Sequence, residues 1–272
     1  MRWLTALIRS ALDAECVMTT HPGHATQLAA HADQYDGLIA VGGDCTLAEV
    51  INGMPLGAKP LGIVPAGTGN GVALHLGLRD VHQALAAIRR GRTASLDVAE
   101  AVLRCRDQAI RRYVLSTCSI GYAAESVELA NRHFKPMRRL CYPVASYLQR
   151  WRQRSFKARV RLDGGDWREV RLTNLMVNNT RYAGNFRVFP QASTSDGELD
   201  VLYAATNPVT QLLHNIAILT GTYFYRPGTE CLARRIELVL EEPRTAMLDG
   251  ELVGDVVAMS IEVRPAQLTC YV

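Results

Sequence analysis

The 272-residue sequence contains no GxxxxGK[ST] loop, no HExxH, no GxSxG and no CxxC pair. P-loop nucleotide hydrolysis, zincin chemistry, an α/β-hydrolase nucleophile elbow and a paired-thiol zinc site are thereby excluded. There is no run of 18 apolar residues, so no transmembrane helix is expected. The opening MRWLTALIRSALDAECV is broken by Arg9 and Asp13 and lacks a small-residue cleavage site, so it does not read as a signal peptide. Lysine is scarce: nearly all of the 30 cationic residues are Arg, which favours planar contacts with phosphate or carboxylate. Internal repeats and low-complexity segments are absent. The seven cysteines are scattered and mostly lie in apolar runs, the usage of a reducing compartment, and the cytoplasm is the expected location.

What is present suits a folded chain. Hydrophobic residues make up 48%, enough to build the core of one large or two modest domains. The net charge of +4 is too small to mark a nucleic-acid binder, but it suits an anionic ligand or membrane surface.

The organising stretch is Tyr35 to Leu76. Two apolar runs, Leu38 to Val41 and Leu61 to Val64, each end in a glycine-rich turn, Gly42-Gly43-Asp44-Cys45-Thr46 and Pro65-Ala66-Gly67-Thr68-Gly69-Asn70-Gly71. Helical periodicity resumes after each, at Leu47 to Asn52 and Gly71 to Leu76. Strand, glycine turn and helix in that order place ligand-binding loops at the carboxyl ends of parallel strands. Bare backbone N–H groups there can hold an anion, so phosphate binding is the first expectation. Glycine after a strand also serves tight turns alone, but two such turns mixing Gly with Asp, Thr and Asn weaken that reading. Further helices are expected over residues 2–14, 24–35 and 82–90. From about residue 94 the pattern changes to short strands at close spacing, interrupted by helical stretches over 125–151, broken at Pro143, and over 209–219. This predicts an antiparallel β-sandwich after an α/β domain, with residues 1–97 and 98–272 as the two domains.

Carboxylates in turns carry the chemistry. Asp44 sits inside the first glycine turn, Asp196 in Ser-Thr-Ser-Asp-Gly-Glu-Leu-Asp, and Asp249 and Glu251 in Leu-Asp-Gly-Glu-Leu. Beside bound phosphates such groups hold Mg²⁺ or accept a proton from an attacking hydroxyl. An Asp-Gly pair also makes a hairpin turn on its own account. The basic run from Arg132 to Arg161, which includes Lys135, Arg138, Arg139, Arg150, Arg152, Arg154, Lys157 and Arg159, reads either as a solvated face or as contact with an anionic membrane.

In order, TTHPGHATQLA, AVGGDCTLAEVING, LGIVPAGTGNGVA, SLDVAEA, SIGYAAE, NNTRYAGNFRVFPQASTSDGELDV and LDGELV resemble the diacylglycerol kinase catalytic-domain family, which includes bacterial lipid kinases and sphingosine kinases and belongs to the NAD kinase superfamily. The resemblance runs from about Thr19 to the C-terminus. It implies an ATP- and Mg²⁺-dependent kinase that phosphorylates the hydroxyl of diacylglycerol or a related lipid alcohol at the surface of a membrane. It also implies roles: Thr19, Gly42, Gly43, Asp44, Cys45, Thr46, Leu47, Ala48 and Thr68 at the nucleotide, Asp249 and Glu251 at the acceptor hydroxyl with Glu251 the proton acceptor, and Ser193, Asp196 and Glu198 at a structural Mg²⁺. Asp97 matches a family acid near the cleft. The oligomeric state stays open, a dimer included.

Three departures from the family pattern stand out. Cys45 replaces the glycine of GGDGT, Gly71 replaces an Asp after Asn70, and no counterpart of the family's first strand precedes residues 2–14. The last predicts a bare sheet edge or a nucleotide pocket open on one side. Two alternatives follow: a non-catalytic member that binds lipid or nucleotide, and a kinase of a soluble alcohol such as NAD.

Overall fold

The computed structural model describes residues 2–223 and 225–272; the side chains of Arg2, Arg138 and Arg139 lie outside the described residues, as does Met1. Helix α1 (Arg2–Ala11) packs with α5 (Val81–Arg90) on β1 (Leu38–Gly42) and β2 (Leu61–Pro65), which pair in parallel. On the opposite side lie α2 (His24–Ala30), α3 (Asp44–Ile51) and α4 (Gly71–His75), whose Ala25, Ala29, Leu47, Ile51 and Val72 share a core with Ala40, Leu61 and Ile63. Both glycine turns therefore stand at the carboxyl ends of parallel strands. Among the described residues β1 pairs only with β2.

The second half is an antiparallel sandwich-like array: β3 (Thr93–Cys105), β4 (Ala109–Val114), β5 (Thr117–Gly121), β6 (Phe156–Leu162), β7 (Arg168–Leu172), β8 (Asn174–Asn178), the short hairpin β9 (Tyr182–Ala183) and β10 (Phe186–Arg187), β11 (Leu199–Ala204), β12 (Thr229–Ala233), β13 (Arg235–Leu248) and β14 (Glu251–Tyr271). Alternation decides its core. In β6, Phe156, Ala158 and Val160 point inward while Lys157 and Arg159 point to solvent. The halves are stitched together by β14, which starts at the Asp249-Gly250 turn and ends with Cys270 beside Leu61 of β2. Asn52 adds a strand-like clasp: its amide donates to the Tyr113 carbonyl and its carbonyl accepts the Tyr113 N–H, at 2.9 and 2.8 Å.

Three helices cover one side of the array: α6 (Tyr122–Leu129), α7 (Cys141–Gln149) and α8 (Pro208–Thr220). A π turn and a 3₁₀ turn join α6 to α7, and Pro143 falls in the first turn of α7, where its missing N–H costs nothing.

Several expectations need correction. Residues 168–178 divide into β7 and β8 because the Thr173 N–H leaves the ladder to reach the Ala204 carbonyl and its own carbonyl accepts the Tyr122 N–H. Helix α3 begins at Asp44, inside the glycine turn. Two members of the basic run leave its expected solvent face: Arg150 is buried against Tyr147 and Trp151, and Arg161 pairs with Glu237 on the sandwich.

Candidate active site

The two glycine turns touch. A Cβ on Gly67 would come within 2.4 Å of the Gly43 Cα, so only glycines allow this approach. Asn70, in the left-handed region at φ 60°, closes the second turn by accepting from the Gly67 N–H and donating to the Gly67 carbonyl. Asp44, in the first turn of α3, receives the Gly71 N–H at 3.0 Å and the Val72 N–H at 3.2 Å, and so ties the two turns together. Burial pushes its carboxyl upward against those donors.

The hairpin β13–β14 reaches in from the other domain. Asp249 and Gly250 form its two-residue turn, both with positive φ, as Asp-Gly hairpins do. The Asp249 carboxylate is buried and accepts the N–H groups of Leu115, Ser116 and Thr117 at 2.7 to 2.9 Å. Burial nevertheless pushes it up to about 6, with the nearby Asp44 charge adding to the rise. The Cys45 thiol donates to the Asp249 carbonyl at 3.4 Å, and burial, Asp249, Asp44 and Glu251 all raise its pKa. Cys45 is absent from the positive-φ residues, so this side chain needs no backbone strain. Glu251 is exposed, two residues beyond Asp249 at the start of β14.

A cavity of about 770 Å³ runs from these turns into the second domain. Gly43, Asp44, Cys45, Thr46, Gly67, Thr68, Gly69 and Asp249 line its polar end. The rest is walled by α6, α7, α8 and the β9–β10 hairpin, largely with apolar residues such as Val127, Tyr142, Phe186 and Ile216. A polar ladder crosses this apolar wall: Gln211 donates to Asn215, Asn215 to the Tyr122 hydroxyl, and that hydroxyl to the Ser146 carbonyl. Sequence reading missed this wall; the one available signal was the lack of any charge in residues 208–220.

The other sequence candidates are placed unevenly. Gly42 abuts Thr46, Leu47 is in the N-terminal core, and Ala48 follows it on the helix body, away from the lining. Thr19 is exposed and outside the lining. Ser193, Asp196 and Glu198 lie in a separate loop, where the Ser193 hydroxyl meets Ser195 and the Asp196 carboxylate accepts the Glu198 N–H. Asp97, buried, fastens that loop by accepting the N–H groups of Gly197 and Ala266. Just beyond, burial and the charges of Asp196, Glu230 and Glu198 push Asp200 up to about 6. A hairpin glycine explains Gly71: a Cβ there would sit 2.7 Å from the Gly184 carbonyl oxygen.

The residues present fit a nucleotide and its cation. The first-turn amides of α3, which have no acceptor within the helix, border the cavity. The Asp44 and Asp249 carboxylates line the same end, oxygen donors of the kind Mg²⁺ takes.

Two family models match the chain. Residues 2–101 match the diacylglycerol kinase catalytic domain and residues 116–272 the YegS C-terminal NAD kinase beta sandwich-like domain. A diacylglycerol kinase of Mycobacterium tuberculosis is 31% identical over 188 residues, 68% of this chain and 60% of that protein. Sphingoid long-chain bases kinase 1 of Arabidopsis thaliana is 32% identical over 52% of this chain, but only 20% of its own length is spanned. The chain thus spans less than two thirds of these curated relatives. A crystal structure of a diacylglycerol kinase from Bacillus anthracis str. Sterne superimposes with a TM-score of 0.71 at 20% identity, covering 97% of this chain and 87% of that one, a likeness of fold. The two glycine turns, the hairpin that meets them and both domain matches converge on one assignment: the chain belongs to the diacylglycerol kinase catalytic-domain family, with the YegS-type C-terminal sandwich.

Proposed function

We propose that this chain transfers the γ-phosphoryl group of ATP to the hydroxyl of diacylglycerol or a related lipid alcohol. One observation carries the reading: a single cavity joins the paired glycine turns to a long apolar chamber. A nucleotide triphosphate suits the first and acyl chains the second, which puts the lipid hydroxyl at the junction.

In this reading the turns at Gly42–Thr46 and Gly67–Thr68 position the phosphates, with Leu47 and Ala48 contributing backbone and Thr19 reaching the nucleotide from its own loop. Glu251 accepts the hydroxyl proton as the lipid oxygen bonds to the γ-phosphorus and ADP departs. Asp249 anchors the turn that carries Glu251 and faces Asp44 across the cleft. Phosphoryl transfer needs such positioning more than covalent help from the protein. Mg²⁺, when bound, neutralises phosphate charge, and the Asp44 and Asp249 carboxylates are the nearest to hold it. A second, structural Mg²⁺ on Ser193, Asp196 and Glu198 would offset the negative charge that, after burial, lifts Asp200. The lipid comes from an anionic membrane surface, and the border between the nucleotide and lipid domains falls at residues 97/98.

The test is transfer of label from γ-labelled ATP into a panel of lipid alcohols, with NAD as the soluble comparison. Label in lipid that disappears in Glu251→Ala supports the reading; label in NAD alone replaces it. A second reading, a non-catalytic binder of lipid or nucleotide, draws on the Cys45 thiol at the mouth of the polar end. Binding of ATP and lipid without any transfer would establish it.

A further inference from the structure

Helix α8 is inside out. Its 13 residues carry no charge. Val209, Leu213, Ile216 and Leu219, spaced four, three and three apart, form one stripe, and they are 65%, 36%, 39% and 55% exposed. Gln211 and His214 on the other side are 3% and 8% exposed. A helix that faces water shows the reverse arrangement. Beside it, α7 and the residues after it add exposed Tyr147, Leu148 and Trp151, with the Arg150 guanidinium against the Tyr147 and Trp151 rings.

Ile216, Leu219, Tyr147 and Leu148 are both exposed and part of the cavity lining, so they are its rim. We propose that this α7–α8 rim seats in the surface of a lipid bilayer, so that the lipid enters the cavity without crossing water. The inference rests on the lipid-kinase reading for its purpose, though not for its geometry.

Two further features favour a bilayer. No Asp or Glu occurs in residues 129–162 or 201–229, the two segments that build the rim, while Arg132, Lys135, Arg152 and Arg154 are exposed around it. Anionic lipid complements that charge, and Trp and Tyr settle at the level of the headgroups. A protein partner or a second copy of this chain seated on the same surface would close the mouth of the cavity, whereas a membrane would feed it.

The test compares the full chain with Val209→Ser/Leu213→Ser and with Trp151→Ser, all on the apolar patch but outside the cavity lining. Vesicles of phosphatidylcholine with phosphatidylglycerol are the probe, read by cosedimentation, alongside turnover of a long-chain diacylglycerol in those vesicles and of dihexanoylglycerol free in solution. Wild type binds the vesicles, and each variant binds about ten-fold more weakly and loses vesicle turnover in step, while turnover of the soluble substrate is kept. Wild type that ignores vesicles, or variants that bind as tightly as wild type, overturns the proposal. So does a wild-type dimer that the variants convert to monomer with vesicle binding unchanged. Docking that the variants abolish, in a protein that phosphorylates no lipid, supports the membrane surface and overturns the kinase reading alone.

Discussion

The thiol of Cys45, on the first turn of the N-terminal domain's α3, donates to the main-chain carbonyl of Asp249, in the hairpin turn of the sandwich. The residue that departs from the family's glycine is therefore a contact between the two domains. It also covers the neighbouring turn residue, since a Cβ on Gly250 would lie 2.9 Å from its sulfur.

Cys45→Gly should lower stability by about 1 kcal/mol, because it removes that contact and places glycine within a helix. With the sulfur turned onto the hairpin, ATP affinity should change by less than about three-fold, on the same order as the loss of one weak contact. Calorimetric titration with ATP, paired with thermal melts, decides this; a large gain in affinity would show that the thiol obstructs the nucleotide.

Restoring the family's acid is expected to do harm. In Gly71→Asp the new Cβ meets the Gly184 carbonyl oxygen at 2.7 Å, a backbone atom that cannot swing aside. Destabilisation of about 1–3 kcal/mol is expected from such overpacking. An unchanged denaturation midpoint would mean that the 182–187 hairpin yields freely.

The two carboxylates of the hairpin separate cleanly. Glu251 is exposed, so Glu251→Ala should leave the melting temperature unaltered while kcat falls by about 100-fold or more, as for loss of a general base. Asp249→Ala strands three buried N–H groups, at roughly 1–3 kcal/mol for each group left unsatisfied. It should therefore unfold or melt far lower, whatever its effect on rate. Equal turnover in wild type and Glu251→Ala would remove Glu251 from the mechanism.

His75 makes the fold sensitive to acid. Its Nδ1 accepts the Arg181 N–H at 3.1 Å, and burial, with Arg181 nearby, lowers its pKa from 6.5 to about 4. Below 6.5 the unfolded chain takes up a proton that the folded chain refuses. The contribution of His75 to stability is thus full above pH 6.5 and is lost as pH falls through about 4. Urea titrations from pH 7.5 to 4 should show this slope in wild type and a flatter one in His75→Gln.

Much of the glycine-turn end of the cavity was legible in the chain because it is built from local signals. An apolar run followed at once by glycines, as at Val41-Gly42-Gly43, states strand and turn together, and Asp249-Gly250 states a hairpin. Even so, helix α3 starts three residues earlier than its apolar periodicity indicates, because its first turn is the glycine turn itself. The three amides that claim the Asp249 carboxylate are more than 130 residues away in sequence, beyond any local pattern. The chamber was not legible at all. Tyr142, Phe186, Asn174 and Ile216 come from four separate segments that share no motif.

The sequence by itself determined the succession of strands and glycine turns, the switch to antiparallel pairing, and the family. Each depends on backbone preferences and periodicity that act over a few residues. Tertiary structure alone decided that Gly43 and Gly67 meet, that β14 joins both halves, that Arg150 of the basic run is buried, and that α8 turns its apolar stripe outward. Those outcomes depend on which side of an element its neighbours bury, and packing between distant segments settles that.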